Sequence, residues 1–403
     1  MKDYLPYDVV VAGAGPAGAA AAIVARQAGL RVGLIDDTDD QALKVGESLP
    51  GGIVRTLRRL GINGPADLLT PDELMPCVAN VSAWGSDAWS FTDALANPEG
   101  GGWHVLRHRF DAALRHRAAS LGVERMRARV RDVEQADGLH RIVLTANAEP
   151  HPRVLEARFL VDATGRRAAI TRKLGVQRRR LSEQCAAVAW LRHPEHDLDN
   201  TTRVKAVRNG WWYTARLPHG LRVLAFHGLP SDVAPMMRWP ERFAEQCNAT
   251  DLLPYRIQPG CVVRPLIAMD ASVQVSEGAA GPGWLAVGDA ALSFDPLSSQ
   301  GVLFALYSGI RGMEAVVHCL ERPELAGRFL DEYQHKARSV LAANQRARQG
   351  FYWSERRYSE SPYWRAQRQG LETRRMAVQI LDGSSPVTAR TRMGSSPRSG
   401  QRA

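Results

Sequence analysis

The 403-residue sequence contains very little lysine. Of its 52 basic residues only five are lysines, and the rest are arginines. Against 42 acidic residues the net charge is +10, and a basic protein of this kind can bind nucleic acid. The sequence has no recognised nucleic-acid-binding motif, however. We therefore expect an arginine-rich, solvated surface and no nucleic-acid partner.

Cysteine is also scarce, with five residues and no C-x-x-C pair. This pattern argues against a disulfide framework and against a zinc site. We predict free thiols in a reducing compartment and no bound metal.

Long apolar runs are absent, since no stretch approaches the roughly 18 residues that a membrane-spanning helix needs. The first residues also lack a signal-peptide layout. We therefore expect a cytoplasmic protein with no membrane partner. The composition is 45% hydrophobic and 23% charged, which is ordinary for globular domains. The Ser/Pro/Gly-rich residues 383–403 are the exception, and they are predicted to form a disordered basic tail.

A glycine-rich turn near the start is the clearest local motif. An apolar stretch, residues 7–12, is followed by G-A-G-P-A-G and then by an alanine-rich stretch. This order predicts a strand, a tight turn and a helix whose N-terminus binds a pyrophosphate. Asp36 ends the next predicted strand, where a carboxylate accepts hydrogen bonds from ribose hydroxyls. The expected contacts within the turn are Gly13, Ala14, Gly15, Ala17 and Gly18.

Three further motifs follow in order: D-A-T-G-R at 162–166, G-W-L-A-V-G-D at 283–289 and P-L-S-S-Q-G at 296–301. Together with the turn they resemble the set found in single-component FAD monooxygenases of the p-hydroxybenzoate hydroxylase type and in the related flavin-dependent halogenases. The resemblance covers about residues 7–365 of the chain. It implies an α/β fold with a Rossmann-type FAD-binding domain, an inserted antiparallel-sheet substrate domain and a helical C-terminal region.

The domain boundaries that follow are predictions. The FAD-binding domain is discontinuous and takes residues 1–175 and 276–325. The substrate-domain sheet takes residues 176–275, and the helical region takes residues 326–382.

The resemblance also assigns cofactor contacts. Asp289 would bond a ribityl hydroxyl of FAD. Residues 296–301 would run along the isoalloxazine ring, where a helix N-terminus stabilises negative charge on the reduced flavin. The segment K-V-G-E-S-L-P at 44–50 is similar to the halogenase branch and would lie near the flavin. The remaining contacts expected in these segments and in the neighbouring motifs are Lys44, Glu47, Ser48, Arg107, Asp162, Gly165, Pro296, Ser299 and Gly301.

The positions of lysine and tryptophan distinguish halogenation from hydroxylation in this resemblance. Flavin halogenases use a lysine downstream of G-E-S and carry a W-x-W-x-I-P signature. Here no lysine lies between Lys44 and Lys173, and both tryptophan positions of the signature are replaced after Trp211-Trp212. The resemblance therefore implies hydroxylation of an aromatic ring through a flavin C4a-hydroperoxide, with O2 as co-substrate. NAD(P)H, or FADH2 supplied by a flavin reductase, would provide the electrons.

Aromatic motifs around Trp84, Trp211 and Trp364 resemble flavoproteins that modify a tryptophan in partner enzymes with protein-derived quinone cofactors. The resemblance leaves two substrate classes open, a peptidyl tryptophan of a partner protein and a small aromatic metabolite. His104, Trp211 and Tyr213 are the candidate substrate-pocket residues.

Other functions stay open at this point. The chain could be a flavin-dependent halogenase, a flavin-dependent C=C reductase, or a non-catalytic flavoprotein that positions a partner. Oxygen-independent turnover is expected of the reductase, and tight FAD binding without NAD(P)H oxidation is expected of the non-catalytic flavoprotein.

Overall fold

The computed structural model describes residues 5–37, 39–94, 97–145 and 152–369. The predicted tail and the last residues of the predicted helical region, 370–382, lie outside these ranges. Within the ranges, no helix combines the length and the apolar composition needed to cross a bilayer. The helices are α1 (Pro16–Gln27), α2 (Ile53–Arg58), α3 (Arg107–Ser120), α4 (Ala169–Lys173), α5 (Pro230–Arg238), α6 (Pro240–Asn248), α7 (Gly301–Glu321), α8 (Ala326–Ser354) and α9 (Pro362–Arg368).

The strands in chain order are β1 (Tyr7–Ala12), β2 (Val32–Asp36), β3 (Ser48–Leu49), β4 (Leu74–Cys77), β5 (Ala79–Ala83), β6 (Ser90–Asp93), β7 (Gly102–Val105), β8 (Glu124–Arg127), β9 (Arg129–Ala136), β10 (Leu139–Thr145), β11 (Arg153–Asp162), β12 (Arg178–Arg180), β13 (Cys185–Arg192), β14 (Thr202–Val207), β15 (Gly210–Leu217), β16 (Leu221–Gly228), β17 (Ile267–Asp270), β18 (Gln274–Ser276), β19 (Ala280–Gly281), β20 (Trp284–Ala286) and β21 (Leu292–Ser293).

The first sheet has the predicted Rossmann character. Its main strand order is β19-β20-β11-β1-β2-β8, and β1 pairs in parallel with both β2 and β11. Val9, Val10 and Val11 of β1 are fully buried. Val9 and Val11 pack with the alanines of α1 and with α7, whereas Val10 faces β10 and α4 on the other side. A continuous apolar strand is what a parallel sheet covered on both faces requires.

The second sheet is the inserted one, with strand order β17-β13-β16-β15-β14-β5-β6. One of its faces packs against α5 and α6 through a cluster that includes Trp212, Phe226 and Phe243. Because side chains alternate along a strand, the neighbours of Trp212 in β15 point to the opposite face.

The predicted boundary of the substrate domain is wrong in one respect. β5 and β6 come from residues 79–93, yet β5 pairs in parallel with β14 and carries β6 into the second sheet. β6 is exposed along its whole length, so it has no apolar alternation from which the pairing could be read. The insertion is therefore a mixed sheet built from two separate stretches of chain.

The described part of the C-terminal region is helical, as predicted, but the helix is interrupted between residues 354 and 362. α8 ends at Ser354, and α9 begins with Pro362, which is a common first helical residue. Between them the Glu355 carboxylate accepts a hydrogen bond from the Gly85 N–H at 2.7 Å and pairs with Arg357. The break therefore attaches the end of α8 to the loop between β5 and β6.

A buried ion pair joins α8 to the segment that precedes α7. The Asp295 carboxylate accepts from Arg348 Nε at 2.8 Å and from the Tyr352 hydroxyl at 3.0 Å. Its other oxygen accepts from the Leu297 N–H at 3.0 Å. The side chains of Asp295 and Arg348 are only 1% and 6% exposed, so each charge depends on the other for compensation.

Arg348→Met tests this anchor. We expect it to lower the free energy of unfolding by about 3–5 kcal/mol, because Asp295 would remain as an uncompensated buried charge. Chemical denaturation measures the loss. Arg346→Met is the matched control, since Arg346 is exposed on the same helix and its replacement should change stability by less than about 0.5 kcal/mol. Equal stability of the two variants would contradict the anchor.

Candidate active site

A cleft of about 600 Å³ lies between the first sheet and the inserted sheet. On one side its lining comes from the residues that follow β1, β2, β11 and β20. This is the carboxyl edge of the parallel strands, where open α/β sheets bind their ligands. On the other side its lining comes from β13, β15, β16 and β17.

The glycine turn forms one end of the cleft. Gly13 has φ +100°, a backbone conformation that favours glycine. A Cβ on Gly15 would meet no atom within 4 Å, so the backbone there is bare and faces open space. The α1 N-terminus, with its free N–H groups, begins at Pro16. The turn therefore fits a pyrophosphate, which needs close backbone approach and N–H donors.

Most of the predicted site residues are brought together around this cleft. Its lining includes Gly13, Ala14, Gly15, Ala17, Asp36, Lys44, Glu47, Ser48, Arg107, Gly165, Trp211, Tyr213, Asp289, Pro296, Ser299 and Gly301. These residues come from segments that are far apart in the sequence.

Gly18 and Asp162 do not line the cleft. A Cβ on Gly18 would lie 1.8 Å from the Gly13 carbonyl oxygen, so this glycine serves the close packing of helix on turn. The Asp162 carboxylate accepts from the Thr164, Ile170 and Thr171 N–H groups at 3.0, 3.0 and 2.8 Å. Asp162 thus stabilises the loop after β11 and the start of α4, which corrects the prediction that it contacts FAD.

The prediction that His104 lines the substrate pocket is wrong. His104 is fully buried, does not line the cleft, and its Nε2 lies 2.8 Å from Thr202 Oγ1. Burial lowers the pKa of His104 to about 4, so its ring is neutral at pH 7. β7 places this side chain behind Ser48, its partner across the β3–β7 pair.

A cluster of charges borders the cleft near the start of α3. Asp111 accepts from Arg107 Nε at 3.0 Å and from Lys44 Nζ at 3.3 Å. Its side chain is 2% exposed, so the two cations compensate a buried charge. Arg107 Nη1 also donates to the Val45 carbonyl oxygen at 3.1 Å, which connects α3 to the segment before Glu47.

Glu47 and Tyr213 connect the two sides of the cleft. The Tyr213 hydroxyl donates to Glu47 Oε1 and lies 3.0 Å from Ser48 Oγ. Glu47 is 3% exposed, and the other oxygen of its carboxyl group has no hydrogen-bond partner within the described residues. Burial raises the pKa of Glu47, which favours its protonated form.

The inserted sheet presents an aromatic wall to the cleft, formed by Trp211, Tyr213 and His227. As strand alternation predicts, Trp212 lies on the opposite face. The rings of Trp211 and His227 are stacked, with centroids 3.7 Å apart and planes 5° apart. Trp211 Nε1 donates to the Tyr363 hydroxyl at 2.9 Å, so α9 supports the wall from behind.

His227 and Asp295 are cleft residues that the sequence reasoning missed. His227 is an isolated histidine in an apolar strand, and only the pairing of β15 with β16 sets it opposite Trp211. Asp295 lies inside a recognised segment, but its buried partners are on α8. The neighbouring G-D and P-L-S motifs could have indicated Asp295. No motif in the sequence indicates His227.

Comparison with known proteins gives the family. The profile of the tryptophan halogenase family matches residues 93–390, which is well over half of the sequence. The chain belongs to the tryptophan halogenase family. It is therefore an FAD-dependent oxidoreductase of the flavin-dependent halogenase type, as its motifs indicated.

Two curated relatives cover most of the chain. LodB of Marinomonas mediterranea, named as an FAD-dependent oxidoreductase, is 26% identical over 87% of this chain and 96% of its own length. A 1H-pyrrole-2-carbonyl-[peptidyl-carrier protein] brominase of Pseudoalteromonas luteoviolacea is 30% identical over 80% of each chain.

Solved structures agree on the fold. The myxobacterial chondrochloren halogenase CndH matches with a TM-score of 0.80, at 22% identity, over 95% of this chain and 91% of its own. QhpG, described as a peptidyl tryptophan dihydroxylase essential for tryptophylquinone cofactor biogenesis, matches with a TM-score of 0.73, at 26% identity, over 90% of this chain and 79% of its own. The predicted α/β fold is confirmed.

FAD binding at the turn can be tested with Gly15→Val. We expect a folded protein whose FAD affinity falls about tenfold or more, because the side chain displaces the pyrophosphate from donors worth about 1 kcal/mol each. Asp289→Ala should also weaken binding by removing the ribityl partner. Titration of the apoprotein with FAD measures both effects. Gly327→Val is the control, since its side chain would meet open space at the exposed start of α8. Wild-type affinity in both test variants would refute this site.

Proposed function

We propose that the protein is an FAD-dependent monooxygenase that hydroxylates an aromatic ring, with a tryptophan side chain of a partner protein as the favoured substrate. The observation that carries the proposal is the aromatic wall. It shares one cleft with residues 296–301, the segment expected to lie along the isoalloxazine ring. The cleft also lacks the lysine that halogenation needs. Among the described residues that line it, the single lysine is Lys44, and its ammonium group is paired with Asp111.

The described residues fit FAD along the length of the cleft. The pyrophosphate would lie at the α1 N-terminus, and Asp36 would hold a ribose. Arg107 would meet the adenylate region, and Asp289 would hold the ribityl chain. Asp289 is oriented by Arg166, whose Nε lies 3.6 Å from its carboxylate. Residues 296–301 and the following N-terminus of α7 would contact the flavin ring.

Reduced FAD supplies the electrons that activate O2 in this chemistry. With those two electrons, one oxygen atom of O2 would enter the aromatic ring and the other would leave as water. We propose NAD(P)H, or a separate flavin reductase, as the source of the reduced flavin. The protein's part is to hold the ring near the flavin and to keep water out.

The shape of the wall favours an indole-sized ring. Ala186, Val188 and Ala225 line the cleft on the same sheet face as the three aromatic side chains, and their small size leaves room beside the rings. Aromatic neighbours orient a bound ring by about 0.5–1.5 kcal/mol per contact. The similarity to QhpG, which is described as acting on peptidyl tryptophan, supports a protein-borne substrate.

Halogenation is the second candidate, and the family itself favours it. The brominase relative is named for a pyrrole ring held on a carrier protein. Such a substrate is also a tethered aromatic ring, so the wall and the cleft would suit it. The two functions differ in the atom that is added to the ring.

Product mass separates these functions. With reduced FAD, O2 and chloride or bromide present, we expect products heavier by one or two oxygen atoms and free of halogen, because no unpaired lysine faces the described cleft. Mass spectrometry of a partner peptide or of free indole gives the result. A mass increase of one chlorine or bromine would establish halogenation instead.

Substitutions in the wall test substrate placement. With indole as the probe, Trp211→Leu and Tyr213→Leu should increase the H2O2 released per reduced flavin, because a misplaced ring lets oxygen activation proceed unproductively. FAD should stay bound. Trp212→Leu, on the opposite face of the sheet, should instead lower stability by ~2 kcal/mol without changing coupling. If all three variants remain fully coupled, the aromatic wall does not hold the substrate.

A further inference from the structure

His227 is a buried polar side chain without a polar partner. It is 5% exposed and lines the cleft. Its Nδ1 is shielded from water and has no hydrogen-bond partner within the described residues. Buried polar groups of native proteins are nearly always hydrogen-bonded, so an exception in a cleft points to a ligand.

The surrounding structure holds the imidazole ring in place. Trp211 stacks on one face of the ring and is itself held by the hydrogen bond from its Nε1 to Tyr363. Across the β13–β16 pair, the residue opposite His227 is Ala186, which is too small to cover the imidazole. The ring is therefore positioned by packing, and Nε2, which is not among the shielded nitrogens, is the ring nitrogen that a ligand can reach.

The ring is also uncharged. Burial lowers the pKa of His227 to about 3, and the nearby Asp295 carboxylate only partly opposes this effect. The Asp295 carboxylate accepts hydrogen bonds from Leu297, Arg348 and Tyr352 rather than from His227. A neutral imidazole has one N–H donor and one nitrogen acceptor.

We propose that His227 is a substrate-positioning residue, which accepts a hydrogen bond from the ring N–H or O–H of the aromatic substrate. The inference rests on the proposed function and narrows it to rings that carry such a donor, an indole above all. A ring held both by the aromatic wall and by this hydrogen bond would be fixed in its plane as well as in its distance from the flavin.

The test compares indole with indene, its carbocyclic analogue without the N–H. Binding to the FAD-loaded protein is followed by the change in the oxidised flavin spectrum. Wild-type protein should bind indole about three- to tenfold more tightly than indene, which is the effect of one hydrogen bond. His227→Phe should remove this preference while FAD stays bound.

Conservative variants separate hydrogen bonding from packing. His227→Asn places an amide near the position of Nδ1, and His227→Gln places one near Nε2. Restoration of the indole preference by either variant supports the hydrogen bond. Loss of the preference in both, with FAD still bound, would assign the imidazole to packing alone.

His193→Phe is the matched control, since His193 lies outside the cleft and contacts Arg216 and the Pro194 carbonyl oxygen. Its indole preference should equal that of the wild type. Equal affinity of wild-type protein for indole and indene, no binding of indole, or an unchanged preference in His227→Phe would overturn the inference. Because binding is measured without turnover, the two proposals are tested separately. The binding preference can be absent from a protein that hydroxylates, and it can be present in one that does not.

Discussion

The buried carboxylate of Asp295 is the constraint on which the cleft depends. One of its oxygens accepts from Leu297 in the segment expected along the flavin, and the other accepts from Arg348 and Tyr352. The Tyr352 hydroxyl lies 3.2 Å from the Tyr363 hydroxyl. The Tyr363 hydroxyl accepts a hydrogen bond from Trp211 Nε1. A single charge thus aligns the cofactor segment, the C-terminal helices and the aromatic wall. Buried ion pairs contribute little net stability, but they impose a specific arrangement when every partner is satisfied.

A second link closes the cleft at its other side. The hydrogen bond between Tyr213 and Glu47 joins the inserted sheet to the segment that leads into β3. Glu47 is buried and Tyr213 is half-buried, and burial raises the pKa of each. The wall is therefore held at two points, at Trp211 from behind and at Tyr213 from the cofactor side. Such double support fixes the position of a ring more tightly than packing alone.

The family resemblance leaves the reaction open because one scaffold supports both oxygen transfer and halogen transfer. The distinction rests on a few side chains facing the cleft. Here the single lysine among the described residues that line the cleft is Lys44, and Asp111 compensates its charge. Trp211 and Tyr213 of the wall belong to the motif that replaces the halogenase signature. We favour hydroxylation on these differences, although the halogenase CndH matches this chain more closely in fold than QhpG does.

The sequence determined the cofactor half of this protein, and tertiary structure decided the substrate half. Gly13, Gly15 and Asp36 could be recognised because a nucleotide turn is local, with strand, turn and helix adjacent in the chain. The fold class followed from such motifs in order, and alternation correctly separated Trp212 from its neighbours. The strands at 79–93, the stack of His227 on Trp211 and the partners of Asp295 depend on pairing between distant segments, which leaves no local pattern. Asp162 and His104 were misjudged for the same reason, since only packing shows that their polar atoms serve the protein itself.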